Sequence, residues 1–313
     1  MHIVKPKRLK IGDLIGIISP ASAPNDLFKI EKGVNYLEGL GYRVKVGKSS
    51  GISHGYLAGT DDQRIKDLHD MFSDKEVKAI ICTRGGYGSP RLVDKIDYKI
   101  IARNPKIFVG YSDITALQMA FLEKTGLLTF AGPMLAVDLY NSISPFTEEM
   151  FWKLLTSNKK FGRIKFPGNE KIFPVVKGIA KGRLIGGNLA TFLSLAGTQY
   201  LPDLKNKILL LEEVSEAPYR VDRMFNQLRL MGVFKKISGL ILGAFMDCNE
   251  PDPEKKTFST GEVIADYVDK LNIPVVYNFS HGHLADKVTV PFGAGIRVNA
   301  SRSIVEITES VVS

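Results

Sequence analysis

Phe108-Val109-Gly110-Tyr111-Ser112-Asp113-Ile114-Thr115-Ala116-Leu117 runs from an apolar strand through a serine into an apolar helix. A serine at such a turn points its hydroxyl outward, and the helical N–H groups behind it carry the partial positive charge that favours a developing oxyanion. Ser112 is therefore a candidate nucleophile. The arrangement has the architecture of a nucleophile elbow without the Gly-x-Ser-x-Gly spelling, because Ile114 stands where the last glycine would be. Ser112-Asp113 before an apolar helix also reads as an ordinary N-cap pair, and this segment alone does not separate the two.

Around this stretch, strands and helices alternate. Apolar runs predict strands over 13–19, 42–46, 77–83 and 106–110, with helices over 26–40, 61–72, after Ser89, and over 114–124 up to Gly126. Repeated strand–helix units predict a parallel sheet covered on both faces. Functional loops of such a sheet lie at the carboxyl ends of its strands, where both Arg84-Gly85-Gly86-Tyr87-Gly88 and Gly110-Tyr111-Ser112-Asp113 fall. Pro145, Pro167 and Pro174 interrupt a more polar stretch between about 141 and 176. The division expected is an N-terminal α/β domain over 1–160, a linker over 161–176 and a C-terminal domain over 177–313. This second half begins with the segment 181–193, then alternates strands at 207–212 and 239–244 with helices at 219–231 and 261–271. Short β segments follow at 275–278, 288–291, 296–299 and 303–307, which makes it a mixed α+β domain with a partly antiparallel sheet.

Composition narrows the function classes. The 313 residues, 44% hydrophobic and 24% charged, suffice for two cores. No apolar run reaches the length of a membrane span, and the first residues lack the apolar stretch of a secretory signal, so a cytoplasmic protein without a membrane partner is expected. Cys82 and Cys248 lie far apart in apolar segments and read as buried thiols. The balance of 42 Lys+Arg against 33 Asp+Glu gives +9. Its basic pairs are scattered, with no stripe or binding module, so a nucleic-acid partner is not expected and an acidic small substrate fits better.

A nucleophilic serine needs a base, an orienting carboxylate and oxyanion donors. His2, His54 and His69 read as surface residues, whereas His281 and His283 share a turn after an apolar strand, where a loop can reach across an interface. The residues alone leave both open as the base. No convincing third ligand accompanies the His-x-His pair, so no metal is expected. Glu212 and Glu213 end the apolar run Leu209-Leu210-Leu211, where a buried carboxylate requires a partner. The glycines at 85, 86 and 88 offer exposed N–H groups, although tight turning alone would also explain them; they lack the register of a phosphate loop.

Together with Gly186-Gly187-Asn188-Leu189, the run from Leu211 to Arg223 and Gly282-His283, these motifs resemble the LD-carboxypeptidase family of serine peptidases over nearly the whole chain. The resemblance implies a flavodoxin-like N-terminal domain and a smaller β-rich C-terminal domain, with the active site between them, in a homodimer. It implies Ser112 as nucleophile, Glu212 as orienting carboxylate and His283 as base and acid, with an oxyanion hole formed by Gly85, Gly86 and the Asp113 N–H. It favours His283 over His281 because Gly282 precedes it. No cofactor is implied. The family includes cytoplasmic enzymes that release terminal D-Ala from murein tetrapeptides and relatives that inactivate microcin C-type peptide nucleotides. A non-catalytic peptide-binding module is the reading of another class. Arg84, Arg220 and Arg223 are candidates for holding a substrate carboxylate.

Overall fold

The computed structural model describes residues 2–168, 170–252 and 254–313. β1 (Leu14–Ile18) is buried along its whole length, as a continuous apolar run in a parallel sheet must be. β2 (Arg43–Val46) and β3 (Val77–Cys82) flank it in parallel register. β4 (Ile107–Val109) and β5 (Thr129–Ala131) extend the sheet, giving the flavodoxin-like order 2-1-3-4-5. The accompanying helices are α1 (Phe28–Gly39), α2 (Asp61–Ser73), α3 (Tyr98–Arg103), α4 (Thr115–Thr125) and α5 (Pro145–Thr156). A capping box of Thr60 and Gln63 opens α2, and Gly126 ends α4 with a left-handed φ of 73°.

The second sheet has eight strands. β6 (Gly162–Arg163) and β7 (Phe173–Val176) form its two edges, while β8 (Ile179–Asn188), β9 (Ile208–Val214), β10 (Gly239–Met246) and β11 (Val275–Tyr277) run parallel at its centre. The helices of this half are α6 (Leu189–Leu193), α7 (Pro218–Leu230), α8 (Val233–Lys236) and α9 (Thr260–Val268). β12 (Val290–Phe292) leaves this half of the chain and pairs antiparallel with β5, Val290 opposite Ala131 and Phe292 opposite Thr129. The segment 288–291, expected in the C-terminal sheet, thus completes the N-terminal one. A three-residue apolar strand carries no local mark of its partner. β13 (Gly295–Asn299) and β14 (Ile304–Ile307) return to the second sheet beside β8.

Two further differences are local. The helix expected after Ser89 is only a 3₁₀ turn over Ser89–Leu92, and α3 follows separately. The stretch 161–176 contains both β6 and β7, the two edge strands of the second sheet.

The two sheets meet over α4. Every residue from Thr115 to Leu122 is buried, so this helix has no solvent face and no amphipathic stripe. Gly187 allows the approach: a Cβ there would lie 2.5 Å from Thr115 Oγ1. Asn188 N–H donates to that hydroxyl at 3.2 Å. The carboxyl ends of β3 and β4 from one sheet therefore face those of β8 and β9 from the other. No helix among the described residues is long and apolar enough to cross a membrane.

Candidate active site

Ser112 stands three residues past the last residue of β4 and is half-buried, with φ at +63°. A left-handed serine between an extended Tyr111 and the turn that opens α4 is a strained elbow of the kind its sequence suggested. Gly85 lies against it. A Cβ at that position would stand 2.9 Å from Ser112 Cβ and 3.0 Å from its Oγ, so only glycine admits this approach. Gly86 carries a positive φ of 103°, beyond the reach of ordinary side chains.

The glycine loop is held from below. Asp113 Oδ2 accepts from Ser89 N–H at 2.7 Å, and Ser89 Oγ donates to the Asp113 carbonyl. Burial pushes the Asp113 carboxyl up to about 6 against the lowering effect of those donors. The buried Arg64 donates to the Gly88 carbonyl at 2.9 Å, and Ser22 Oγ accepts from Tyr87 N–H at 3.1 Å. Neither Arg64 nor Ser22 was marked by a motif; both act through backbone contacts that sequence does not display.

Across the interface, Glu212 lies within the buried part of β9, only 1% exposed. Its Oε2 lies 2.9 Å from His283 Nδ1. Gly282, at φ 127°, brings the histidine loop over this carboxylate, since a Cβ there would meet Oε2 at 2.8 Å. An ionised carboxylate can only accept, so the bond fixes the proton on Nδ1 and leaves the Nε2 lone pair free. The His283 ring packs against Tyr111, the residue before Ser112, with centroids 5.2 Å apart. Glu212 and His283 are thereby paired, and the imidazole lies against the residue that precedes Ser112.

The neighbouring acid and histidine do other things. Glu213 accepts from Asn188 Nδ2 at 2.6 Å, Ala190 N–H at 2.8 Å and Val214 N–H at 2.9 Å, which ties the Gly-Gly-Asn turn to β9. Burial raises its carboxyl. His281 is 1% exposed and its Nδ1 lies 2.8 Å from the Val288 carbonyl. That carbonyl demands a donor, so Nε2 is the bare nitrogen; it has no partner among the described residues. Burial pushes this imidazole down to about 4. His69, expected at the surface, is half-buried and accepts from Asp97 N–H at 3.0 Å.

Of the three arginines, Arg84 donates to Asn25 Oδ1 at 3.1 Å, while Arg220 and Arg223 lie over the exposed ring of Tyr219. Among the described residues no three His, Cys, Asp or Glu side chains converge as a metal-binding group. Two groups beside the site carried no sequence motif, Asp138 on a π-helical turn and the buried Lys287 four residues beyond His283, while Tyr111 stood in the serine motif with no role read for it.

The two halves that frame this site each have known counterparts. Residues 15–132 match the LD-carboxypeptidase N-terminal domain and residues 181–298 the LD-carboxypeptidase C-terminal domain. The chain is 40% identical to the probable murein peptide carboxypeptidase of Bacillus subtilis, over 98% of this chain and 95% of that one. It is 31% identical to the microcin C7 self-immunity protein MccF of Escherichia coli, covering 100% and 98% of the two chains. A solved structure of MccF superposes with a TM-score of 0.90 over 99% of each chain. The muramoyltetrapeptide carboxypeptidase from Oxalobacter formigenes superposes at 0.82, with 30% identity, over 93% of this chain and 97% of its own. With matches to both domains and to relatives along nearly its full length, the chain belongs to the LD-carboxypeptidase family.

Proposed function

We propose that the protein is a serine LD-carboxypeptidase releasing terminal D-Ala from murein tetrapeptides in cytoplasmic cell-wall recycling. The observation that carries this reading is the 2.9 Å contact of His283 Nδ1 with the buried Glu212 carboxylate, with the same imidazole against Tyr111, the residue before the left-handed Ser112. In the reaction, Ser112 Oγ attacks the carbonyl of the L-centre preceding D-Ala, and His283 Nε2 takes the hydroxyl proton. Glu212 holds the imidazole tautomer and stabilises the imidazolium. Asp113 N–H and the Gly85-Gly86 turn donate to the oxyanion. His283 then protonates the leaving D-Ala nitrogen as the C–N bond breaks. Water attacks the acyl-Ser112 ester with His283 again as base, which returns the serine and releases the shortened peptide.

Murein peptides carry several carboxylates, and the chain's excess of basic residues suits them. The resemblance extends to a homodimer, which sedimentation equilibrium would test. MccF has been solved with aspartyl sulfamoyl adenosine, so an aminoacyl-nucleotide is the competing substrate class. The chain's single tryptophan does not favour it: Trp152 stacks on Tyr42 at 5.2 Å and donates to the Tyr36 hydroxyl, within the packing of α5.

The deciding experiment incubates the protein with three substrates and identifies products by mass spectrometry. These are an L-Lys-D-Ala or diaminopimelate-D-Ala tetrapeptide, its L-Ala diastereomer and an aminoacyl sulfamoyl adenosine. Release of D-Ala from the first, with little release from the second, is expected, since displacing the reacting carbonyl by about 1 Å costs on the order of a hundredfold. Equal rates on the two diastereomers would refute LD specificity. Cleavage of the nucleotide alone would move the function to detoxification.

A further inference from the structure

Lys287 lies in the loop that leaves β11 of the second sheet and enters β12 of the first. Its side chain is 3% exposed, and an ammonium taken so far out of water needs partners. Both come from the N-terminal half. Nζ donates to the Tyr111 hydroxyl at 3.0 Å and to Asp138 Oδ1 at 2.5 Å, and stands 4.4 Å from the Tyr111 ring centroid. The same ring meets the His283 imidazole at 66°. One buried cation thus grips the residue bonded to Ser112 while belonging to the loop that carries His283.

The surroundings hold this grip in place. Asp138 Oδ2 accepts from Met134 N–H at 2.9 Å, which fixes the carboxylate on its turn. Thr147 Oγ1 accepts from Lys287 N–H at 2.9 Å and donates to the Ala285 carbonyl at 3.3 Å, so the start of α5 pins the loop backbone as well. A buried ion pair is a poor source of net stability compared with well-packed apolar side chains. What this one supplies is alignment between elements of two different sheets.

We infer that Lys287 is a positioning residue: held by Asp138, it sets the Tyr111 ring against His283 and thereby sets the imidazole relative to Ser112. This rests on the reading of Ser112, Glu212 and His283 as a triad and adds what aligns them.

Lys287→Met alone would strand the Asp138 carboxylate, so the test pairs it with Asp138→Asn, which keeps an acceptor for Met134 N–H. The double variant is expected to melt within a few degrees of the wild type. On an L-Lys-D-Ala peptide its kcat should fall by about tenfold or more while KM stays within about twofold. Tyr111→Phe removes only the hydroxyl that Lys287 grips. It should show the same split in smaller measure, and it serves if the double variant does not fold. A kcat within about twofold of wild type in a variant that folds overturns the inference, as does a loss shared equally by KM. A readout free of substrate is the downfield proton resonance of His283 Nδ1, identified by its absence in His283→Ala. Broadening or loss in the double variant is expected, and an unchanged line overturns the inference. Wild-type turnover in His283→Ala would instead sink the triad reading, whereas an inactive His283→Ala beside a fully active double variant sinks only the role of Lys287.

Discussion

Ser112 holds a φ of +63°, a conformation that costs a residue with a Cβ on the order of 1 kcal/mol. The strain aims the hydroxyl, and substitution can separate the two. Ser112→Ala should keep the fold and lose nearly all turnover. Ser112→Gly should lose turnover too, yet gain up to about 1 kcal/mol over the alanine variant in urea unfolding. A glycine variant less stable than alanine would remove the strain argument, and retained kcat in either would remove the serine mechanism. Two buried groups near it titrate with opposite sign. His281, down from 6.5 to about 4, stays neutral in the fold while the unfolded chain takes a proton, so its contribution to stability is lost as pH falls from 6.5 towards 4. Asp113, up from 3.8 to about 6, keeps a proton that the unfolded chain has released, so its contribution is lost as pH rises through that window. Glu213 is raised and adds to the second effect. Each of the first two shifts stability by about 3 kcal/mol, and they largely cancel between pH 4 and 6. In Asp113→Asn, urea midpoints should therefore rise with pH across 4–6.5, and in His281→Gln they should fall. Flat profiles in both would contradict this. At this scale Ser112 and Glu212 were legible because their neighbours announce a turn and a buried strand end. Tyr111 and Asp138 were not, since their partner lies more than a hundred residues away.

The elements read most clearly where burial leaves a pattern in one short window. β1 is a continuous apolar run, β3 is broken only by Lys78, and three leucines lead β9 to its two acids. β5 and β12 are three residues each and pair with each other, so no window contains the sign of that pairing, although 288–291 read as a β segment. The Gly-Gly-Asn turn at the end of β8 shows how an element carries a functional residue without touching chemistry. A Cβ at Gly186 would overlap the Leu210 carbonyl oxygen, and φ there is 121°. Gly186→Ala is therefore expected to destabilise by about 3 kcal/mol or more, because backbone cannot yield as a side-chain tip can. Glu213→Gln, which turns one acceptor into a donor facing donors, should cost about 1–3 kcal/mol and yet leave measurable turnover per folded molecule. Chemical denaturation with kcat normalised to folded protein checks both. Loss of all activity in a folded Glu213→Gln would mean that this acid, and not Glu212 alone, serves the reaction.

For the whole molecule, the two-part fold class was legible in the sequence, but not that the two sheets exchange chain. β12 belongs to the first sheet although it follows all four parallel strands of the second. A fragment covering 1–160 would leave the β5 edge unpaired and strip α4 of its cover from β8. It should therefore run as oligomers or precipitate in size exclusion. A monomeric fragment with a cooperative melt would show the first layer to be self-sufficient. The same strand bears on how the chain is made. Emerging from a ribosome, residues 14–131 can pair five strands early, but their sheet stays open along Thr129–Ala131 until residue 292 has been synthesised. Closure of the sheet that carries Ser112 and arrival of the loop that carries His283 then become one late event, so a truncated nascent chain carries a sticky edge and, on the proposed reading, no hydrolytic activity.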